Sequence, residues 1–240
     1  MSEERHTIAL PAGKLALVLH LPAGDARVPC VIACHGLGTS KDSDKYVALG
    51  AALTEDGFAL ARFDFRGCGE SSGIEEEATT ATRLEDARAI IDALRGHPRL
   101  TGGLGLVGSS MGGFVALHLA HERGDGTPVV TWNAPASLTD LTESDTTDGH
   151  GIGIPLLLEI TEHRYADAPH GVARHLVIHG EADDVVPVEH GVVLHTRATE
   201  PCDFVVVSGA DHRFSDPAHR REALTHTRAW FRRFLGDAPA

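Results

Sequence analysis

Gly108-Ser109-Ser110-Met111-Gly112 stands directly after a short apolar run and directly before an apolar segment with helical spacing. A serine at such a junction sits in strained strand-to-helix backbone, with its hydroxyl above the sheet edge. The flanking glycines leave room for the turn to pack. The helix that starts behind it brings free backbone N–H groups and a positive dipole end beside that hydroxyl. Ser109 is the rival hydroxyl, but only Ser110 is centred between Gly108 and Gly112.

A serine hydroxyl is a poor nucleophile near neutral pH, so it needs a base, and the base needs an orienting acid. Two later segments end where such groups belong. Leu176-Val-Ile-His-Gly-Glu-Ala-Asp183-Asp184 is an apolar run leading into a loop with carboxylates at its mouth, and Val205-Val-Val-Ser-Gly-Ala-Asp-His212 leads into a loop ending in histidine. The chain order Ser110, Asp183, His212 is the one expected when nucleophile, acid and base follow successive strands of one parallel sheet. Asp184 competes with Asp183, and it reads better as a cap for the following turn or helix. Earlier, His35-Gly36-Leu37-Gly38 follows another apolar run, and its small residues let a backbone N–H approach a substrate carbonyl. The N–H groups of Leu37 and Met111 together form the expected oxyanion hole, where losing one donor costs about 3 kcal/mol of transition-state stabilisation.

These groups need a scaffold that brings strand ends together. Residues 15–21, 28–34, 58–63, 104–107, 129–132, 172–178 and 204–207 read as strands, and residues 7–10 pair with the first of them through a turn at Pro11-Ala12-Gly13. Residues 46–55, 81–94, 114–121 and 217–235 carry helical spacing. Strands that alternate with helices are too far apart for hairpins, so the sheet is mostly parallel with helices on both faces. Residues 137–170 interrupt the alternation and read as a cap insertion over the carboxyl edge, with Ile152, Ile154, Leu156 and Leu157 as a candidate pocket wall. The whole of 1–240 is expected to be one domain.

The stretches His35-Gly-Leu-Gly38, Asp64-Phe-Arg-Gly-Cys-Gly-Glu-Ser71, Gly108 to Gly113, His179-Gly-Glu-Ala-Asp183 and Gly209-Ala-Asp-His212 resemble the α/β-hydrolase superfamily over essentially the whole length. Within it the chain looks most like the small intracellular esterases of the cinnamoyl/feruloyl esterase type. The resemblance implies an α/β-hydrolase fold with a mostly parallel sheet of about eight strands. It also places the acid four residues after the histidine of the His-Gly motif, which is Asp183. The implied activity is a carboxylesterase-type serine hydrolase acting on a small-molecule acyl ester. Thioester or amide cleavage by the same triad, or a catalytically silent binding protein on the same scaffold, are the alternatives.

Other features have plainer readings. With 21 basic and 34 acidic residues the formal charge is −13, which leaves no basic surplus for nucleic acid. No apolar stretch reaches the roughly 18 residues of a membrane span. Four cysteines are too few to staple 240 residues, and the polar start lacks signal-peptide layout, so a cytoplasmic setting with reduced thiols is expected. His118 and His121 are spaced for a metal, but no carboxylate or cysteine lies at a matching offset, and no metal or organic cofactor is expected. Gly103-Leu-Gly-Leu-Val-Gly108 matches a dinucleotide fingerprint in spacing only, because its apolar positions are the strand itself. Asp64 and Arg66 read as a hydrogen-bonded turn, Cys68 as a small residue between glycines, and Glu75-Glu-Glu77 as a solvated face. The oligomeric state, monomer or homodimer, is open at this stage.

Overall fold

Strands whose residues are apolar at every position must be covered on both faces, and those runs form the middle of the sheet. In the computed structural model, which describes residues 1–11, 13–141 and 152–236, β3 (Val28–Cys34) sends Cys30, Ile32 and Cys34 to one core and Val31 and Ala33 to the other. The remaining strands are β1 (Ser2–Leu10), β2 (Gly13–Leu21), β4 (Ala59–Phe63), β5 (Leu100–Ser109), β6 (Val129–Trp132), β7 (His175–Gly180) and β8 (Cys202–Val207). Their order is β1-β2-β4-β3-β5-β6-β7-β8, antiparallel at β1–β2–β4 and parallel from β4 through β8.

The helices are α1 (Asp44–Glu55), α2 (Thr80–Leu94), α3 (Met111–Arg123), α4 (Ile154–Thr161), α5 (Val188–Arg197) and α6 (Pro217–Leu235). Buried residues of α2, α3, α4 and α5 join the core on one face, and those of α1 and α6 join the core on the other. Local chemistry sets the helix ends. Thr79 and Thr82 form a reciprocal capping box at α2, and Asp216 caps α6 ahead of Pro217. Among the described residues no helix is long and apolar enough to cross a membrane.

The sheet and its helices agree with the sequence reading, with four local corrections. The first strand runs from Ser2 and not from Thr7, because its inward positions Glu4 and His6 are polar and hide the alternation. β5 starts at Leu100, ahead of residues 104–107, and Gly102 and Gly103 mask that part. Helices α4 and α5 also went unread, one hidden by glycines and Pro155, the other by its mixed polar face. Ala12 of the expected turn and residues 142–151 of the insertion lie outside the described residues. The insertion closes at its base where Ser137 bridges Asp167, with Leu138 N–H donating to Ala166 O at 2.7 Å and Ala168 N–H to Ala136 O at 2.9 Å.

Candidate active site

Because β3, β5, β6, β7 and β8 are parallel, their carboxyl ends share one edge, and each delivers one loop to it. At the end of β5 the chain turns at Ser110, whose φ is 54° and ψ −129°, and α3 begins at the next residue. This positive-φ backbone is unusual for a non-glycine residue and is the geometry that a nucleophile elbow requires. The elbow closes only because its neighbours lack side chains. A Cβ on Gly108 would stand 2.2 Å from Gly112 O, and one on Gly112 would stand 2.0 Å from Cys34 O. The Ser110 N–H is held by Trp132 O at 2.9 Å.

Asp183 and His212 are brought into contact at this edge. His212 Nδ1 lies 2.8 Å from Asp183 Oδ2 and 3.0 Å from Oδ1, with the Asp183 side chain fully buried and the His212 side chain 16% exposed. A carboxylate only accepts, so Nδ1 carries the proton and Nε2 is left free to act as a base. Asp183 is fixed further by the N–H groups of Val185 and Val186, both donating to Oδ1. This corrects one expectation: Asp183 itself holds the following turn, whereas Asp184 is exposed and makes no side-chain hydrogen bond among the described residues. Beneath the pair, His179 donates from Nε2 to Val186 O at 2.8 Å. The Ser110 hydroxyl makes no hydrogen bond among the described residues. Catalytic hydrogen bonds are commonly long before substrate arrives.

The loop after β3 packs directly on the elbow, since a Cβ on Gly36 would stand 3.1 Å from Ser110 Cβ. His35 locks this loop: Nδ1–H donates to Gly36 O at 2.8 Å, and Nε2 accepts the Phe65 N–H at 3.0 Å. Burial pushes the His35 imidazole down to about 4, so it is neutral and keeps this tautomer. Beyond Leu37, the Gly38 N–H donates to Glu75 Oε1 at 2.9 Å. Glu75 is therefore a half-buried brace of this loop and not part of a solvated face. Neither the Leu37 nor the Met111 N–H donates a hydrogen bond among the described residues, so both donors are available.

Asp64 and Arg66 are structural, as their turn suggested. Asp64 is fully buried and accepts from Lys41 N, Lys41 Nζ and Glu70 N. Burial opposes the Lys41 charge, but the carboxylates of Asp42, Glu70 and Asp64 outweigh it and hold the ammonium above its ordinary range. Arg66 binds Asp86 of α2 through both its N–H and its guanidinium. Burial, then the Glu75 carboxylate, raises the Cys68 thiol, which makes it unreactive. The sequence reading passed over Lys45, whose Nζ donates to Ser109 Oγ at 2.7 Å. Burial and the neighbouring Arg213 and Arg220 lower its ammonium to about 8.

His118 packs edge-on against Phe114 and Tyr165. The pocket wall expected from the insertion divides differently: Ile152 and Leu156 are buried in the core, Leu157 packs partly against it, and Ile154 is 52% exposed. Leu156 and Ile160 pack inward because Glu159 anchors α4, its carboxylate accepting from Thr80 N–H at 2.7 Å and Ala81 N–H at 3.0 Å. A cleft of about 320 Å³ lies away from all of these groups, between Arg27, Leu94, Arg95 and Leu104.

A sequence-family profile described as serine aminopeptidase, S33 matches residues 26–143. The mitochondrial palmitoyl-protein thioesterase ABHD10 of Rattus norvegicus is 26% identical over 220 residues, covering 79% of this chain and 71% of that protein. Two solved structures superpose over nearly the full length. Est1E from Butyrivibrio proteoclasticus with bound ferulic acid has a TM-score of 0.81 at 22% identity, covering 97% of this chain and 100% of its own. The esterase domain of a Rhodothermus marinus protein has a TM-score of 0.77 at 27% identity, covering 98% and 100%. An eight-stranded, mostly parallel sheet with helices on both faces and a sharp turn at Ser110 after its fifth strand is the arrangement these structures share. The chain has the α/β-hydrolase fold, and within it residues 26–143 are similar to the serine aminopeptidase, S33 family of hydrolases.

Proposed function

We propose that the protein is a serine hydrolase that cleaves carboxylic esters of small molecules through Ser110, His212 and Asp183. The observation that carries this reading is the paired contact of His212 Nδ1 with both Asp183 carboxylate oxygens, on loops that share the sheet edge with the Ser110 elbow. His212 Nε2 takes the Ser110 hydroxyl proton as Oγ attacks the ester carbonyl. The oxyanion then rests on the N–H groups of Leu37 and Met111. His212 returns the proton to the departing alcohol and leaves an acyl group on Ser110. A water, deprotonated by the same imidazole, attacks that acyl group, and the proton goes back to Ser110 as the acid departs. Asp183 orients the ring and offsets its positive charge. The reaction calls on no metal or organic cofactor, and the cytoplasm remains the proposed compartment.

Thioester cleavage is the second reading, because relatives such as the rat protein carry the name palmitoyl-protein thioesterase. The same triad serves both reactions, and the pocket decides between them. The experiment is a fluorophosphonate labelling assay beside a panel of p-nitrophenyl esters of rising chain length, methyl ferulate and an acyl thioester. Covalent labelling at Ser110, abolished in Ser110→Ala, is expected with turnover of the short esters. An unlabelled protein with no turnover refutes the hydrolase reading and favours a binding protein, whereas faster cleavage of the thioester than of matched esters moves the assignment to thioesterase.

A further inference from the structure

Residues 129–132 of β6 are wholly apolar apart from Thr131, and the next residue, Asn133, is a fully buried amide. Its φ is 50°, a left-handed backbone that Asn tolerates better than most residues. No motif in the sequence points to it. Among the described residues, its side chain nevertheless spends every polar contact on the two loops that carry Asp183 and His212. Nδ2 donates to Asp211 O at 3.1 Å and to His212 O at 3.0 Å, and Oδ1 accepts the Gly180 N–H at 2.7 Å. The partners fix the orientation of the amide, since two carbonyls can only accept and one N–H can only donate.

We propose that Asn133 is a positioning residue that sets the spacing of His212 and Asp183. The inference rests on the triad reading above. Gly180 ends β7, three residues before Asp183, and His212 O belongs to the base itself, so one planar amide spans both loops at fixed separation. The backbone completes the hub: the Asn133 N–H donates to Ile178 O at 2.9 Å, and Trp132 O, one residue earlier, holds the Ser110 N–H. All three loops of the triad are therefore tied to two consecutive residues at the end of β6. A second brace joins the same two loops, where Glu181 Oε2 accepts from Ser208 Oγ and Gly209 N–H. That brace is exposed and stops short of the histidine, whereas Asn133 binds the His212 backbone directly. Misplacement of a catalytic group by about 1 Å can cost on the order of 100-fold in rate, so the amide acts on catalysis without touching substrate.

The test uses Asn133→Asp, which keeps the Gly180 contact but loses both donors, Asn133→Leu, which loses all three contacts, and Asn133→Ser as a milder replacement. Active sites are counted with a fluorophosphonate, so that rates refer to folded, competent molecules only. The second readout is the far-downfield proton resonance of the His212 Nδ1–H···Asp183 hydrogen bond. We expect kcat per counted site to fall at least about tenfold with KM within about twofold, and the downfield resonance to move or vanish. A kcat within about threefold of the parent in the variants that fold, or an unmoved resonance, overturns the proposal. A parent protein with neither turnover nor Ser110 labelling would instead refute the triad reading itself, so the two failures are distinguishable.

Discussion

Asp183 and Asp184 are chemically identical neighbours, and only direction separates them. Asp183 faces inward onto His212 and onto the N–H groups of Val185 and Val186, while Asp184 faces solvent. Asp183→Asn keeps an oxygen for the Val185 and Val186 N–H groups but turns an amide donor toward His212 Nδ1, which favours the wrong tautomer of the ring. We predict a loss of roughly 10³ to 10⁴ in kcat with little change in KM, against parental kinetics for Asp184→Asn. Steady-state rates on a short p-nitrophenyl ester decide this, and equal losses in the two variants would disprove the assignment. The serine, histidine and carboxylates were legible in the sequence because each ends an apolar run. Asn133, Glu75 and Lys45 were not, because their partners lie 78 and 79, 37 and 64 residues away along the chain.

Among the elements, α4 shows how a weak segment is held by one side chain. It is eight residues long, too short to be stable alone. Glu159 supplies acceptors to two N–H groups at the start of α2, where a negative charge is favoured by the helix dipole. Removing it with Glu159→Ala strips a cap and leaves buried donors unpaired. We expect a loss of about 1–2 kcal/mol, a fall of several degrees in Tm by calorimetry. An unchanged Tm would show that α4 docks without this contact. The elbow is less forgiving: Gly112→Ala would drive a methyl group to 2.0 Å from Cys34 O, between α3 and β3. Neither partner is a flexible side chain, so the helix start must move, and Ser110 labelling by fluorophosphonate should slow by at least about 100-fold. Parental labelling kinetics in that variant would contradict the packing described.

Over the whole molecule, burial of imidazoles ties stability to pH. Burial lowers His35 and His118 to about 4 and His175 to about 3. All three are neutral in the folded protein, while in the unfolded chain they take up protons as pH falls below about 6.5. The unfolded state then binds more protons, so stability is complete above that pH and declines between about 6.5 and 4, by at most about 4 kcal/mol per pH unit for the three together. Tm should drop by several degrees between pH 6.5 and 5.5, a window above most carboxylate titration; a flat or rising Tm there would be incompatible with three buried neutral rings. Thiol chemistry offers a second whole-molecule check. Cys30 and Cys34 are buried with thiols pushed up to about 12, Cys68 is buried, and Cys202 alone is half-exposed. A disulfide exchange reagent should find one reacting thiol in the folded protein and four after denaturation, and a native titre of three or four would contradict this packing.

The sequence by itself determined the alternation of strands and helices, the serine between its glycines at the turn, and the order in which Ser110, Asp183 and His212 follow. These are local facts, written in hydrophobic period and in the glycines that a tight turn requires. Tertiary structure decided which of two adjacent aspartates faces the histidine, which acidic residue braces the loop after β3, and that a single buried amide joins the loops of Asp183 and His212. Such choices depend on side-chain direction and on contacts between residues remote in the chain, neither of which a linear pattern encodes.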